Sequence, residues 1–157
     1  MITPPDHVDR IMSVMELAFP PEYGEAWNRR QVSDALVVGN CHYGLIGPDG
    51  AQHLQDRDNT AGFFMSRRIL DEEELLLFAI APQYRRRGLG HILLGRFIES
   101  ARSAGMARVF LEMRKGNPAA FLYASHGFRE IGIRPLYYRT PDGTRIDAIS
   151  QELSFLD

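Results

Sequence analysis

The chain has 157 residues, of which 45% are hydrophobic and 24% charged, and its formal net charge is −2. This length is typical of one domain with a substantial core, so we expect a single domain over residues 1–157, and the near-neutral charge argues against a nucleic-acid partner. A single cysteine excludes an internal disulfide, and the five histidines show no metal-ligand spacing, so we expect no metal.

Neither a signal peptide nor a long apolar segment is recognisable, so we expect a cytoplasmic protein with no membrane partner. A first helix is predicted over residues 6–18, with Asp6 as its N-cap. Its apolar stripe consists of Val8, Ile11, Met12, Met15 and Leu17. After a proline break, a loop with several aromatic residues leads to a second helix at about residues 29–37. We expect these aromatic residues to cover the core, although they could also form a substrate wall.

The next elements are predicted to be strands. Residues 41–46 form the first, residues 47–50 a turn, residues 52–60 a polar loop or poor edge strand, and residues 61–69 a second strand. The acidic run at residues 71–74 is interpreted as a solvated hairpin connection, the alternative being a site that attracts a cationic amine.

A short apolar run at residues 75–81 predicts a strand buried on both faces and ended by Pro82. Three arginines and two glycines follow, and then an amphipathic helix that Gly105 ends at a position requiring positive φ. The apolar positions of this helix are Leu94, Phe97, Ile98, Ala101 and Ala104.

The start of this helix has the properties of a phosphate site. Its first N–H groups have no partner within the helix and carry the positive end of the helix dipole. Gly88 and Gly90 would let an anion approach the backbone, and arginine is a good phosphate donor. The same pattern would also fit a tight turn with solvated arginines.

The remaining elements alternate in type. Residues 107–114 are predicted to be a strand, residues 117–127 a helix with Asn117 as its cap, residues 128–134 a strand, residues 140–144 a turn and residues 146–153 the last strand. Together they predict an α/β (α+β) fold with a mixed, mostly antiparallel sheet and helices on both faces.

The order of apolar strand, proline, Arg-x-x-Gly-x-Gly and helix resembles the acyl-CoA-binding motif of the GCN5-related N-acetyltransferases (GNAT), with Arg85, Gly88 and Gly90 at its defining positions. Residues 111–128 resemble the second conserved block of that family. The ending, with Tyr137 and Tyr138, resembles RimI-type ribosomal-protein alanine N-acetyltransferases most. The resemblance covers roughly residues 61–153.

The resemblance implies a GNAT fold and acetyl-CoA as the acetyl donor, without a metal. The residues it assigns to the cofactor are Phe78, Ala79, Ile80, Arg85, Arg86, Arg87, Gly88, Leu89, Gly90, His91 and Asn117. It implies a primary amine as acceptor, most of all a protein or peptide N-terminal α-amine. We expect a monomer or homodimer.

Two residues are candidates for the chemistry. Glu112 is an acid among apolar neighbours of a predicted strand, where RimI-type enzymes place a general base; the alternative is a carboxylate paired with Arg114 or another arginine. Tyr123 is the candidate acid, and the alternative is a packed aromatic ring. The segment from Asn117 to Tyr123 is one residue shorter than in RimI-type enzymes, and one residue turns a helical side chain by about 100°.

Three other functions fit parts of the pattern. A dinucleotide-binding unit would use Gly88 and Gly90, but Leu93 occupies its third glycine position and residues 82–87 separate the glycines from the strand. A non-catalytic acyl-CoA-binding module would not need both Glu112 and Tyr123. An acetyltransferase for a small-molecule amine would keep them both, so the sequence leaves the acceptor open.

Overall fold

A computed structural model describes residues 4–156. Its helices are α1 (Pro5–Ala18), α2 (Arg29–Val37), α3 (Leu89–Ser103) and α4 (Ala120–Ser125). Its strands are β1 (Cys41–Ile46), β2 (Gly62–Ile69), β3 (Glu72–Ile80), β4 (Arg108–Arg114), β5 (Arg129–Arg139) and β6 (Arg145–Ser154). Short 3₁₀ turns at Pro21–Tyr23 and Pro82–Tyr84 precede α2 and α3.

The six strands form one sheet in the order β1-β2-β3-β4-β6-β5, and only β3 and β4 are parallel neighbours. Apolar side chains of α1 and α2 pack on one face against Phe63 and Met65, whereas α3 and α4 pack on the other face with Phe64. The alternation of side chains along β2 therefore divides two cores. The expected mixed, mostly antiparallel sheet with helices on both faces is confirmed.

The central parallel pair opens partway along its length. The β3–β4 register runs only from Glu72 opposite Arg108 to Leu75 opposite Leu111. Beyond it, β3 continues against β2 and β4 continues against β6, so the two strands diverge. Backbone N–H and C=O groups that face this gap have lost their neighbouring strand and are available to a ligand.

The acidic run does not form a solvated turn. Leu70 and Asp71 make the turn, while the three glutamates begin β3. Glu73 is only 1% exposed, and its carboxylate accepts hydrogen bonds from Arg68 Nε at 2.8 Å and from Ser66. The solvated interpretation was wrong because the hairpin register sets Glu73 and Glu74 opposite Arg68 and Arg67 of β2, while Glu72 pairs with Arg108 of β4.

The helix starts also differ from the sequence-based expectations. Pro4 occupies the N-cap of α1, so Asp6 lies in the first turn, 3.8 Å from Arg10, and does not cap the helix. Leu17 is 58% exposed and lies outside the apolar stripe. Helix α4 begins only at Ala120, because Asn117 Oδ1 accepts a hydrogen bond from the Ala119 N–H at 2.9 Å and forms a separate turn before the helix.

Strand β5 is longer than predicted and contains Tyr137 and Tyr138. The range predicted from the sequence, residues 128–134, covers only its first part. In the sheet β5 is an edge strand, and its pairing with β6 is irregular between Arg134 and Tyr138, where Leu136 has φ +53°. Proline is tolerated at an edge or a bulge, so the strand resumes beyond it.

Candidate active site

Two cavities lie along the gap between β3 and β4. The larger is about 530 Å³ and reaches the start of α3, and the smaller is about 270 Å³ and is bordered by residues of β3 and β4. The residues that line both cavities are Phe19, Glu25, Phe78, Asn117 and Tyr123. A ligand in one cavity can therefore meet a ligand in the other beside these side chains.

The larger cavity gathers nearly all the residues predicted to hold a cofactor. They come from the end of β3, the following loop, the first turn of α3 and the turn before α4: Phe78, Ala79, Ile80, Arg85, Arg86, Gly88, Leu89, Gly90, His91 and Asn117. Gly88 is the N-cap of α3 and has φ +78°, a conformation that glycine adopts without strain. The cavity thus ends at the unpaired N–H groups of a helix start, where an anion is favoured.

The three arginines of the loop have different surroundings. Arg85 donates from Nε to the Ile80 carbonyl and from Nη2 to the Ala18 carbonyl, each at 3.1 Å, so it ties the end of α1 to the end of β3. Arg86 lines the larger cavity. Arg87 lies outside the described lining and stacks over the Tyr84 ring at 5.5 Å. Sequence spacing could not distinguish these roles, because all three residues are exposed and adjacent.

His91 borders the larger cavity and forms a pair with His126 at the end of α4. Their rings stack with centroids 5.4 Å apart, and His91 Nδ1 lies 3.2 Å from His126 Nε2. Burial, followed by the charge of His91, lowers the pKa of His126. The pair links the first turn of α3 to α4 beside the cavity.

Glu112 projects from β4 into the smaller cavity. Its side chain is 23% exposed, its Oε2 lies 3.3 Å from Arg134 Nε, and the same oxygen accepts a hydrogen bond from Ser150 Oγ at 3.4 Å. The arginine partner comes from β5 and is not Arg114. Glu112 is therefore both a paired carboxylate and a residue that a ligand in the cavity can reach.

Tyr123 lies where the two cavities meet. It is 6% exposed and packs edge-on against the Phe78 ring, with centroids 6.2 Å apart, and in a tilted arrangement against the Phe128 ring, with centroids 5.7 Å apart. Burial, followed by the charge of Glu25, raises the pKa of Tyr123 far above its ordinary value. The hydroxyl can therefore donate a hydrogen bond but does not act as a base at neutral pH.

One residue of the site, Glu25, was missed by the sequence analysis, and another, Tyr138, was named there without a role. Glu25, from the loop between α1 and α2, borders both cavities, and Tyr138 of β5 borders the smaller one. Burial raises the pKa of Tyr138 to about 12, and the charges of Glu112 and Glu25 contribute next. The only sequence signal for Glu25 was its position between Tyr23 and Trp27, the aromatic residues considered as a substrate wall.

Across residues 4–156, no group of three or more acidic, histidine or cysteine side chains is arranged to hold a metal ion. The helices of the same region are all too short or too polar to cross a membrane.

A family model described as "Acetyltransferase (GNAT) family" matches residues 9–128. Several relatives carry the name "[Ribosomal protein bS18]-alanine N-acetyltransferase". The one from Salmonella typhimurium is 41% identical over 147 residues, which are 90% of this chain and 97% of the relative. The one from Escherichia coli K12 is 43% identical over 101 residues, or 64% and 68% of the two chains. The one from Haemophilus influenzae is 38% identical over 96 residues, which are 61% of this chain and 66% of the relative, just under two thirds of its length.

Solved structures agree with these matches. The ribosomal-protein-S18-alanine N-acetyltransferase from Escherichia coli superposes with a TM-score of 0.79 and 30% identity, covering 100% of this chain and 93% of that one. Arabidopsis thaliana NAA60, solved with a bisubstrate analogue, has a TM-score of 0.75 and covers 98% and 95% of the two chains, but at 15% identity it supports the fold alone.

Proposed function

The chain belongs to the GNAT family of acetyltransferases and is an acetyl-CoA-dependent N-acetyltransferase, and we propose that its acceptor is a protein or peptide N-terminal α-amine. Its identity to the S18-alanine enzymes extends over nearly the whole Salmonella typhimurium relative. An N-terminal alanine, such as that of ribosomal protein bS18, is accordingly the first acceptor to test.

The proposal places acetyl-CoA in the larger cavity. Its pyrophosphate would lie at the start of α3, where Gly88 and Gly90 expose the backbone N–H groups and Arg86 adds positive charge. The pantetheine would follow residues 78–80 along the open edge of β3, and the thioester would reach Tyr123. Among the residues expected to hold the cofactor, Arg87 has the least support, because it is not among the described residues that line the larger cavity.

In the proposed reaction, the amine nitrogen in the smaller cavity attacks the thioester carbon. The new N–C bond forms, the C–S bond breaks, and the amine proton passes to the Glu112 carboxylate. An α-amine has a reference pKa of about 7.7–8.0, against about 10.4 for lysine, so near neutral pH it needs little help to become neutral. A carboxylate at the cavity wall is sufficient for that task.

Tyr123 would stabilise the departing thiolate. Full proton transfer from its hydroxyl is uphill, because burial raises the pKa of Tyr123 and a thiol has a reference pKa of only about 8.5. A hydrogen bond from the hydroxyl to the sulfur is the role that this environment supports.

One observation carries the proposal: Glu112 of β4 and Tyr123 of α4 border the same small cavity, and Tyr123 also borders the larger one. Glu112 therefore lies on the acceptor side, while Tyr123 lies at the junction of the two cavities. A non-catalytic acyl-CoA-binding module would require neither placement.

The test uses a peptide that carries the N-terminal segment of bS18 and one internal lysine. After incubation with acetyl-CoA, free CoA is measured and the acetylated nitrogen is located by fragmentation mass spectrometry. We expect one acetyl group on the α-amine and none on a control peptide whose α-amine is already blocked. Acetylation of lysine alone, or turnover confined to small amines, would reject the proposed acceptor, and absence of CoA release with every amine would reject catalysis.

A further inference from the structure

Glu25 borders the proposed active site but has no role in the reaction proposed above. It lies on the loop between α1 and α2 and borders both cavities. Its Oε1 is 3.2 Å from Arg114 Nε, and the two side chains are only 18% and 11% exposed. The Arg114 guanidinium carbon also lies 3.7 Å from the centre of the Tyr23 ring, so both partners of the ion pair are held in place.

The smaller cavity has a one-sided charge distribution. Among the described residues that line it, the charged side chains are Glu25 and Glu112, and none is lysine, arginine or histidine. Their arginine partners, Arg114 and Arg134, contact them from outside that lining. A cationic ligand that enters the cavity would therefore meet two carboxylates, each of which already has an arginine partner behind it, and Arg114 also lines the adjoining larger cavity.

Both carboxylates border the cavity that the Tyr138 side chain also lines. After burial, their charges are the next causes that raise the pKa of Tyr138, whose side chain lines this cavity. They reach the cavity from different parts of the chain, since Glu112 is on a central strand and Glu25 is on a loop over the sheet. An ammonium group in the smaller cavity would therefore be bordered by both carboxylates.

We propose that Glu25 is an acceptor-binding residue that, together with Glu112, holds the acceptor amine as its ammonium form before deprotonation. This inference rests on the proposed function. Glu112 then takes the proton, while Glu25 stays paired with Arg114 and keeps the nitrogen directed at the thioester. Neutral nucleophiles of the same shape, such as an alcohol, would be bound poorly.

The experiment compares two peptides that differ in one group. One has an N-terminal alanine, and the other has lactic acid in its place, so that a hydroxyl replaces the ammonium. Binding of each is measured by calorimetry near pH 7 with CoA bound, so that no turnover occurs. A hydrogen bond to a charged group is worth a factor of about ten or more, so we expect wild type to prefer the amine peptide by about 100-fold through its two carboxylates.

Glu25→Gln keeps the shape of the side chain and removes its charge. We expect the preference for the amine peptide to fall about tenfold, while the affinity for the hydroxyl peptide changes less than twofold. Glu22→Gln, an exposed position in the same loop and outside both described linings, is the matched control and should keep the wild-type preference. Acetyl-CoA affinity and melting temperature show whether each variant is folded.

The outcomes separate charge recognition from a structural role. If Glu25→Gln weakens both peptides equally, Glu25 only supports the loop and the inference is overturned. If Glu25→Gln does not fold, the wild-type protein provides the test instead. Equal affinity of the wild type for the amine peptide and the hydroxyl peptide also overturns the inference. If a small amine is preferred over its alcohol while neither peptide binds, the Glu25 inference stands and the proposed N-terminal acceptor fails.

Discussion

Replacement of Tyr123 by phenylalanine should separate catalysis from stability. The variant keeps the ring that packs against Phe78 and Phe128 and removes only the hydroxyl. Within the described part of the chain, that hydroxyl makes no hydrogen bond to protein. We therefore expect the free energy of unfolding to change by no more than about 0.5 kcal/mol.

The effect on rate should be much larger. A hydrogen bond to a charged group contributes about 1.5–3 kcal/mol, so loss of the bond to the developing thiolate should slow the chemical step about 10–150-fold. Because burial and the Glu25 charge raise the Tyr123 pKa, the hydroxyl stays protonated well above pH 8. Ionisation of Tyr123 should then cause no fall in wild-type kcat up to about pH 10, the reference tyrosine pKa.

The assay is single-turnover acetyl transfer at saturating acetyl-CoA, so that product release does not hide the chemical step. Tyr137→Phe is the matched control, because Tyr137 is 51% exposed and lies outside both described linings. Normal single-turnover rates for Tyr123→Phe would refute the reasoning and move the thiolate partner to Tyr138 or water. Loss of activity together with a large loss of stability would refute the separation of the two effects.

Two further predictions concern the base and the cofactor cavity. Glu112→Gln should lower kcat about 10²–10⁴-fold near neutral pH and regain part of the rate as pH rises, because the amine then arrives neutral; an unchanged pH–rate profile would reject the base role. Gly90→Leu adds a Cβ only 3.3 Å from Leu122 Cδ2 and further atoms beside the larger cavity, so calorimetry should show at least about tenfold weaker acetyl-CoA binding. Gly95→Ala, whose Cβ meets only His126 at 3.9 Å, should leave the acetyl-CoA affinity unchanged and stabilise α3 by about 0.5–1 kcal/mol. An equal loss of acetyl-CoA affinity in both variants would contradict a local phosphate site.

The fold was predictable because local patterns and long-range packing agree in this chain. The apolar run that became β3 packs against the cores on both faces of the sheet, although fully buried and partly buried positions alternate along it. Gly105 follows α3 with φ +82°, as expected. The motif of Gly88 and Gly90 identified the start of α3 and most of the larger cavity. Each of these signals lies within one continuous stretch of sequence.

The acceptor side was less predictable because its contacts join distant segments. Glu25 pairs with Arg114 across 89 positions of the chain, and no local pattern marks such a partner. The arginine beside Glu112 comes from β5, an edge strand that continues through Pro135 beyond the range predicted for it. The acidic run was misjudged for a related reason: only the hairpin register shows that its charges are paired.

The central claim is that acetyl donor and N-terminal acceptor occupy two cavities that meet at Tyr123. A bisubstrate ligand, with the sulfur of CoA joined by an acetyl bridge to the α-nitrogen of a bS18 N-terminal peptide, tests this directly in steady-state inhibition. We expect it to compete with both acetyl-CoA and the acceptor peptide, and to bind more tightly than an otherwise identical ligand joined through a lysine side chain. Competition with acetyl-CoA alone, or equal inhibition by the two ligands, would contradict the claim.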